Sequence, residues 1–476
     1  MARKSGLSGI CRTVRPTPWA PWAPRSNRVL FPGFRTVGLI AALGALCGAR
    51  GACAAPTPSS PAPAPAEAGR SISYVEAAKL LIAAGKLAEA QKVLDALHKA
   101  TPKDREVIFL LAMLAEAKGD YAAAITDFRA ILVDEPGNIR VRLELGRAFF
   151  AIGDDPNAEH QFRLARAARL PAAVRGNIDN YLAAIRGRRA WAFSLSLAVA
   201  PDSNINAGTN ARQVDLYGLP FDLSSGARGH SGAGLSVDAA GEVAPRLSPR
   251  VRMRIGAALD SVTYSQTAFD DTNLYLYAGP QLNLTHWRLS ATASDTDRWY
   301  GGSLYYSGGG ARLEADYLPT ARLRIATAVE RQFLTYRYDA GQTGPVTTGS
   351  LDLTFGLTPS SLLHGALSVS RQDARDLAYA NTVGTVAIGY LRELPKGFSI
   401  SVEPSYGRAE YDEALSAFSR RRSDSIARIS LSVLNRAISY RGFAPRLTYS
   451  YTDDTSSIPL YSYRRNRLEL RVTRQF

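Results

Sequence analysis

From Ala190 to Phe476 apolar and polar side chains alternate with a period of two, in short runs separated by turn residues. The closing run shows the pattern. Leu468, Leu470, Val472 and Phe476 share one face, Glu469, Arg471, Thr473 and Gln475 the other, and Arg474 is the one polar residue on the apolar side. No helical stretch interrupts the series. It predicts about fourteen strands, near 190–200, 229–244, 248–264, 272–283, 285–298, 303–318, 321–336, 347–358, 361–373, 380–392, 397–411, 423–434, 442–453 and 461–476. A periplasmic β-sandwich or propeller also alternates, but so long a series behind a secretory leader predicts a transmembrane antiparallel β-barrel. In lipid every backbone donor and acceptor must be satisfied internally, and a closed sheet does so without an edge. Phe476 is read as the barrel-assembly signal.

Tight turns at Pro245–Pro249, Leu318-Pro319-Thr320, Pro359-Ser360-Ser361 and Leu394-Pro395-Lys396 mark one rim, and the longer connections Ala207–Arg228 and Ala340–Thr347 the other. Short turns are expected in the periplasm and long loops outside. The alternation also says what lies inside. Arg250, Arg252 and Arg254 alternate with Val251, Met253 and Ile255; Arg312, Glu314 and Asp316 with Leu313, Ala315 and Tyr317; Arg428 with Ile429. A face so charged looks onto a lumen, and about fourteen strands leave a real one. Tyr275, Tyr277, Tyr305, Tyr390, Tyr449, Tyr451, Tyr461 and Tyr463 fall near strand ends and are expected to form an interfacial aromatic girdle.

Ahead of the strands the period changes to 34. Gly85, Gly119 and Gly153 keep that spacing, as do Ala90, Ala124 and Ala158; Leu94, Phe128 and Phe162; and Pro102 with Pro136. Small, aromatic and proline positions in fixed phase resemble the tetratricopeptide repeat (TPR). Each glycine ends a first helix, and each alanine lets the second helix lie close. Leu145-Gly146 and Phe149 fit the first-helix pattern best. Three repeats are the minimum for a stack, and Pro171–Arg186 supplies a cap through its stripe Val174, Ile178, Leu182 and Ile185. Phe109, Met113, Glu116, Arg140, Leu143 and Arg147 would line the concave groove. They either fill the stack or grip an extended peptide or helix; the sequence leaves both readings open.

The domain plan is therefore α + β: residues 1–54 a signal peptide with a long leader, 55–70 a Pro/Ala linker, 71–187 a periplasmic TPR-like α-solenoid and 188–476 an outer-membrane barrel. The leader holds eight Lys or Arg and no acidic residue, an apolar run from Val37 to Cys47, and Ala52-Cys53-Ala54 as a cleavage pattern. A lipoprotein reading at Cys53 is weaker, because Arg50 stands where an apolar residue is wanted. All three cysteines, Cys11, Cys47 and Cys53, lie in the leader, so the mature chain would hold none. Removing the leader also changes the charge: 15 − 8 leaves +7, too little to support nucleic-acid binding.

Catalytic chemistry is hard to place. His98, His160, His230, His286 and His364 have no metal spacing, and no nucleophile elbow, phosphate loop or H-E-x-x-H occurs. The expectation is a non-enzyme without cofactor or metal. Asp202-Ser203-Asn204-Ile205-Asn206 opens like a calcium loop. However, Ala207 stands in place of the turn glycine and Gln213 in place of the closing glutamate, so Asx capping of the first strand explains it better.

That segment carries a resemblance. Arg188-Arg189-Ala190-Trp191, a strand, and Pro201–Asn206 resemble the opening of the barrel in the surface lipoprotein assembly modulators, the Slam family. Tyr463-Arg464-Arg465-Asn466 through Phe476 is similar to the family's last strand. Asp202, Asn204 and Asn206 form the most specific piece, and the resemblance covers about residues 71–476. It implies an export device of type XI secretion: the repeats receive a surface lipoprotein or soluble secreted protein, and the barrel passes it. Periplasmic chaperones, the barrel-assembly machinery and outer-membrane lipids would be its partners, and the chain would be a monomer. The rival reading is an exopolysaccharide export porin with TPR repeats, which usually has a longer repeat array and a one-signed or aromatic lumen. A passive porin would need no repeats.

Overall fold

The computed structural model describes residues 73–188, 191–438 and 443–473. The expected signal peptide and linker, Arg474 and Phe476 lie outside the described residues.

Among the described residues seven helices come first: α1 (Tyr74–Ala83), α2 (Leu87–Ala100), α3 (Arg105–Ala117), α4 (Tyr121–Asp134), α5 (Ile139–Ala151), α6 (Asp155–Arg166) and α7 (Ala172–Arg188). Local chemistry fixes their ends. Asp104, Asp120, Asn138 and Asp154 accept backbone N–H bonds at the starts of α3 to α6. Gly85, Gly119 and Gly153, at φ of 72°, 81° and 80°, turn the chain between the two helices of each repeat, where a Cβ would be strained. The 34-residue positions are the core itself: Ala90, Ala124, Ala158, Leu94, Phe128 and Phe162 are all fully buried or nearly so. A Cβ on Gly146 would come within 2.9 Å of the Phe162 ring, so this glycine sets the distance between α5 and α6.

Fourteen strands then close a barrel, each antiparallel to its neighbours. They are β1 (Trp191–Asp202), β4 (Gly232–Val243), β5 (Val251–Tyr264), β6 (Asp271–Asn283), β7 (Trp287–Tyr300), β8 (Ser303–Thr320), β9 (Leu323–Tyr336), β10 (Gly344–Thr358), β11 (Ser361–Gln372), β12 (Asn381–Glu393), β13 (Phe398–Leu415), β14 (Arg420–Asn435), β15 (Ala444–Ser456) and β16 (Tyr463–Thr473). The connection from β1 to β4, expected as plain loop, contains a hairpin of its own, β2 (Gln213–Leu216) and β3 (Leu219–Asp222). The turn expected at Leu318-Pro319-Thr320 falls later, at residues 321–322, because β8 pairs through to Thr320.

Alternation sets the two faces. Phe193, Leu195, Leu197 and Val199 of β1, Phe333 of β9 and Leu470 of β16 are exposed on the outer wall, an apolar surface suited to hydrocarbon. The barrel closes where β1 meets β16, in register Leu197 with Val472, Ala198 with Arg471, Val199 with Leu470 and Asp202 with Arg467. On its other side β1 pairs with β4 at every residue from Trp191 to Asp202. The helices sit at the rim that carries the start of β1 and the turns after β8, β10, β12 and β14. This is called the near rim below; the opposite end is the far rim.

Candidate functional site

The near rim and the third repeat share one buried ion cluster. Arg142 of α5 is 0% exposed. Its guanidinium donates to the Pro136 carbonyl through Nε at 2.9 Å and to Gln161 Oε1 through Nη1 at 2.7 Å. Its Nη2 meets the carboxylate of Glu393, the last residue of β12. Arg436, in the turn after β14, holds the same carboxylate, and His160 Nε2 stands 3.8 Å from it. Burial pulls the Arg142 pKa below its ordinary value, and the Glu393 charge opposes that shift. Around this cluster the contact is apolar and close. Leu164 of α6 packs with Leu362, Leu363, Tyr390 and Leu391, and a Cβ on Gly356 would lie 3.2 Å from Ala167. The repeats are thus seated on the barrel.

The concave face of the stack remains a groove of about 510 Å³ between α5 and α7, lined by Leu143, Glu144, Arg147, Phe150, Asn177 and Tyr181 among others. Two of the six residues expected there, Leu143 and Arg147, line it. Arg147 Nη1 bonds Glu144 Oε2 at 2.8 Å. Glu116 is half-buried, and burial first, then Glu144, hold its carboxyl above the ordinary value, against Arg147. Met113 packs against the stack core. Phe109 is 4% exposed, packed on Phe128 at 5.7 Å with the Arg140 guanidinium 4.2 Å above its ring. Phe109 therefore belongs to the core, and Arg140 reaches the groove side only as the lid on that ring.

Inside the barrel, charges of both signs are neutralised against each other. Arg254 donates to Glu242 at 2.9 Å and to Glu314 at 2.6 Å; Arg312 donates to Glu314 at 2.7 Å and to Glu330 at 3.1 Å. Asp316 takes Arg324 at 2.8 Å and also Arg288. Arg252 is buried, and Arg428 donates to Thr452 at 3.2 Å. Arg250 is a correction: it precedes the first residue of β5, in the near-rim turn, and is exposed. The tyrosine girdle needs correcting too. Tyr275 and Tyr277 point inward, their hydroxyls donating to Glu330 at 2.8 Å and Glu242 at 2.6 Å, and Tyr461 and Tyr463 are buried. Tyr449 stays on the outer wall. Alternation alone could not separate these cases, because a tyrosine suits an interface and a wet interior equally.

The Asp202–Asn206 segment works at the far end of the closing seam. Asp202 receives Arg465 of β16 in a bidentate pair, with Nε at 2.8 and 3.0 Å from the two oxygens. Asn204 is 1% exposed, and its amide ties Gly208 from both sides while donating to the Arg464 carbonyl at 3.2 Å. Asn206 donates to the Arg228 carbonyl at 2.7 Å and accepts from His230 N at 2.9 Å, closing the base of the long loop. These side chains bond backbone and arginine, as Asx residues do in turns.

From there the far-rim loops are laced in sequence around the mouth. His230 stacks near Phe269, Gly301 N donates to Asp270 O at 2.8 Å, and Arg337 N to Tyr305 O at 2.9 Å. Arg375 N then reaches Thr343 O at 2.9 Å, Tyr217 N of the β2–β3 turn reaches Ala417 O at 2.7 Å, and Thr209 Oγ1 reaches Pro459 O at 2.7 Å.

Sequence reasoning missed the Arg142–Glu393–Arg436 cluster. One signal was present: Arg142 occupies the repeat position that Ile108 holds one period earlier, a charge where the stack wants an apolar side chain.

A closed, lipid-faced barrel with helical repeats seated on one rim defines an integral membrane β-barrel carrying a TPR domain. Residues 191–476 match the family described as Surface lipoprotein assembly modifier, and residues 75–139 and 109–173 match the tetratricopeptide repeat. The chain belongs to the surface lipoprotein assembly modifier family, and barrel and family together point to the outer membrane. Similar proteins include Surface lipoprotein assembly modifier 1 of Haemophilus influenzae, 24% identical over 82% of both chains. Surface lipoprotein assembly modifier 1 of Neisseria meningitidis serogroup B is 23% identical over 78% of this chain and 75% of its own. The Hemophilin secretion modulator of Acinetobacter baumannii is 22% identical over 77% of this chain and 78% of its own.

Proposed function

We propose that this chain is an outer-membrane translocon that brings a surface lipoprotein, or a soluble secreted protein, to the outside of the cell. The repeats lie in the periplasm and receive the cargo in the α5–α7 groove, and the barrel passes it outward. The observation that carries this reading is the seating of the third repeat on the barrel through Arg142 and Glu393, with the groove left open beside it. A receptor fixed at the near mouth hands over what it binds. The short near-rim turns and the long far-rim loop support this orientation.

The route proposed is the β1–β16 seam. A lipid anchor drawn through a charged lumen would lose burial worth about 0.8 kcal/mol per CH₂, whereas an opened seam keeps it in hydrocarbon. Periplasmic chaperones deliver the cargo, the barrel-assembly machinery inserts the chain through its C-terminal Phe476, and a monomer suffices. Lumen charges that pair Arg with Asp and Glu give no one-signed track for an exported polymer.

Deleting the gene tests this reading. Surface exposure of a lipoprotein encoded beside it should be lost on intact cells and restored by the intact chain. Loss of surface polysaccharide with protein display unchanged would instead establish the polymer exporter.

A further inference from the structure

Helix α6 is covered on every side. From Asp154 to Ala168 none of its residues is exposed, although most are polar. Its counterparts in the first two repeats keep a wet side: Ala96 and Ala130 are exposed, whereas Leu164, at the same position of the third repeat, is 0% exposed. What covers that side is the barrel interior. Leu164 packs on Leu362, and a Cβ on Gly356 would stand 3.2 Å from Ala167 Cβ. Gly356 and Leu362 are buried in phase with Thr354 and His364, on the lumen face of β10 and β11, and the exposed Leu357 and Leu367 take the other face. Helix α6 therefore sits inside the near mouth and not on its edge.

On its other side α6 carries α7. Phe162 stacks on Tyr181 at 4.9 Å, and both rings line the α5–α7 groove. Helix α7 ends at Arg188 and β1 begins at Trp191, so the chain holds the end of α7 within about 11 Å of the start of β1. In the closed ring of fourteen, β1 stands six strands from β11, which is nearly the opposite wall. The two helices thus bridge the mouth. One wall holds α6 by side-chain contacts, and the other holds α7 by the chain itself.

We infer that α6 and α7 form a lid over the near mouth, hinged where α7 runs into β1 and released where α6 leaves the β10–β12 wall. The release edge is the Arg142–Glu393 pair together with the seat of Leu164. A segment lying in the groove touches Phe162 and Tyr181, on the side of the lid away from the lumen, so binding and opening share one helix. With the lid shut, a lumen of about fourteen strands carries little current. The inference concerns the lumen and holds whatever the barrel exports.

The test uses the purified full chain in planar lipid bilayers. The described residues contain no cysteine, the three of the sequence being Cys11, Cys47 and Cys53. Ala167→Cys with Gly356→Cys brings two thiols close to the spacing of about 3.8 Å that a disulfide needs between its Cβ atoms. Oxidation should form the bond and leave the current at the parent's low level. Leu164→Asp with Glu393→Ala frees α6 and should raise the current severalfold. In the cysteine pair, closing the bond should return that current to the parent level, and reductant should restore it. A bond that fails to form in the otherwise unchanged chain would put α6 elsewhere, and a fully bonded chain that conducts like the freed variant would have an open mouth. Either result overturns the lid, and neither needs the freed variant to fold. A freed, heat-modifiable barrel that carries no more current than the parent overturns it as well.

Discussion

Arg142 and Glu393, 251 residues apart in the chain, meet as a buried ion pair that joins the third helical repeat to the end of β12. Neither side chain reaches solvent in any amount that matters, and Arg436 shares the carboxylate. Removing Glu393 leaves the buried Arg142 without its carboxylate, which costs about 3–5 kcal/mol. Removing Arg142 leaves Glu393 with Arg436 and costs less. Arg142→Ala or Glu393→Ala should therefore release the repeats from the barrel. Limited proteolysis should then cut between α7 and β1, while heat-modifiable migration of the barrel persists. Unchanged protease resistance in both variants would remove the pair from the docking contact.

The repeats carry their own core. Residues 71–187 should fold alone as a helical monomer with a cooperative melt. Gly146→Val should destabilise that fragment by about 1–3 kcal/mol through overpacking against Phe162. An isolated fragment that is unfolded by circular dichroism would contradict a self-contained stack.

Glu116 gives the same fragment a pH signature. Its carboxyl is held above the ordinary value by burial and by Glu144, so the folded state keeps the proton longer than the unfolded one. Stability is then lost as pH rises from the ordinary carboxylate range through the raised value. Glu116→Gln should melt higher than the parent at pH 7 and no higher well below the ordinary value. A gain that persisted unchanged at low pH would show that ionisation of Glu116 is not its source.

Charge in the groove tests delivery separately from insertion. Arg147→Glu, which reverses the partner of Glu144, should lower cargo display while leaving barrel heat-modifiability intact. Equal display would mean that Arg147 merely completes the helix surface.

Much of this architecture is legible from periodicity. The 34-residue phase of Gly85, Ala90 and Leu94 marks positions that all pack or turn as a repeat requires. The two-residue alternation gives the strands, because burial on one face imposes it. What periodicity cannot give is a contact between distant segments. Arg142 is only a charge out of place in its repeat until β12 brings Glu393 to it, and Tyr461 looks like an interface residue until Arg422 lies on its ring. Arg250 shows the converse, since a pattern that extends one residue past a strand end points into a turn.

The seam is where the account is most exposed to test. Leu197 of β1 and Val472 of β16 are register partners, and both face outward. Leu197→Cys with Val472→Cys should form a disulfide across the closure, detectable as a gel shift. Surface exposure of the cargo lipoprotein on intact cells is then measured with the seam locked and after mild reduction. The account predicts that display falls to the level of the deletion strain when the bond is formed and returns with reductant. Undiminished display with the bond fully formed would contradict export through the seam.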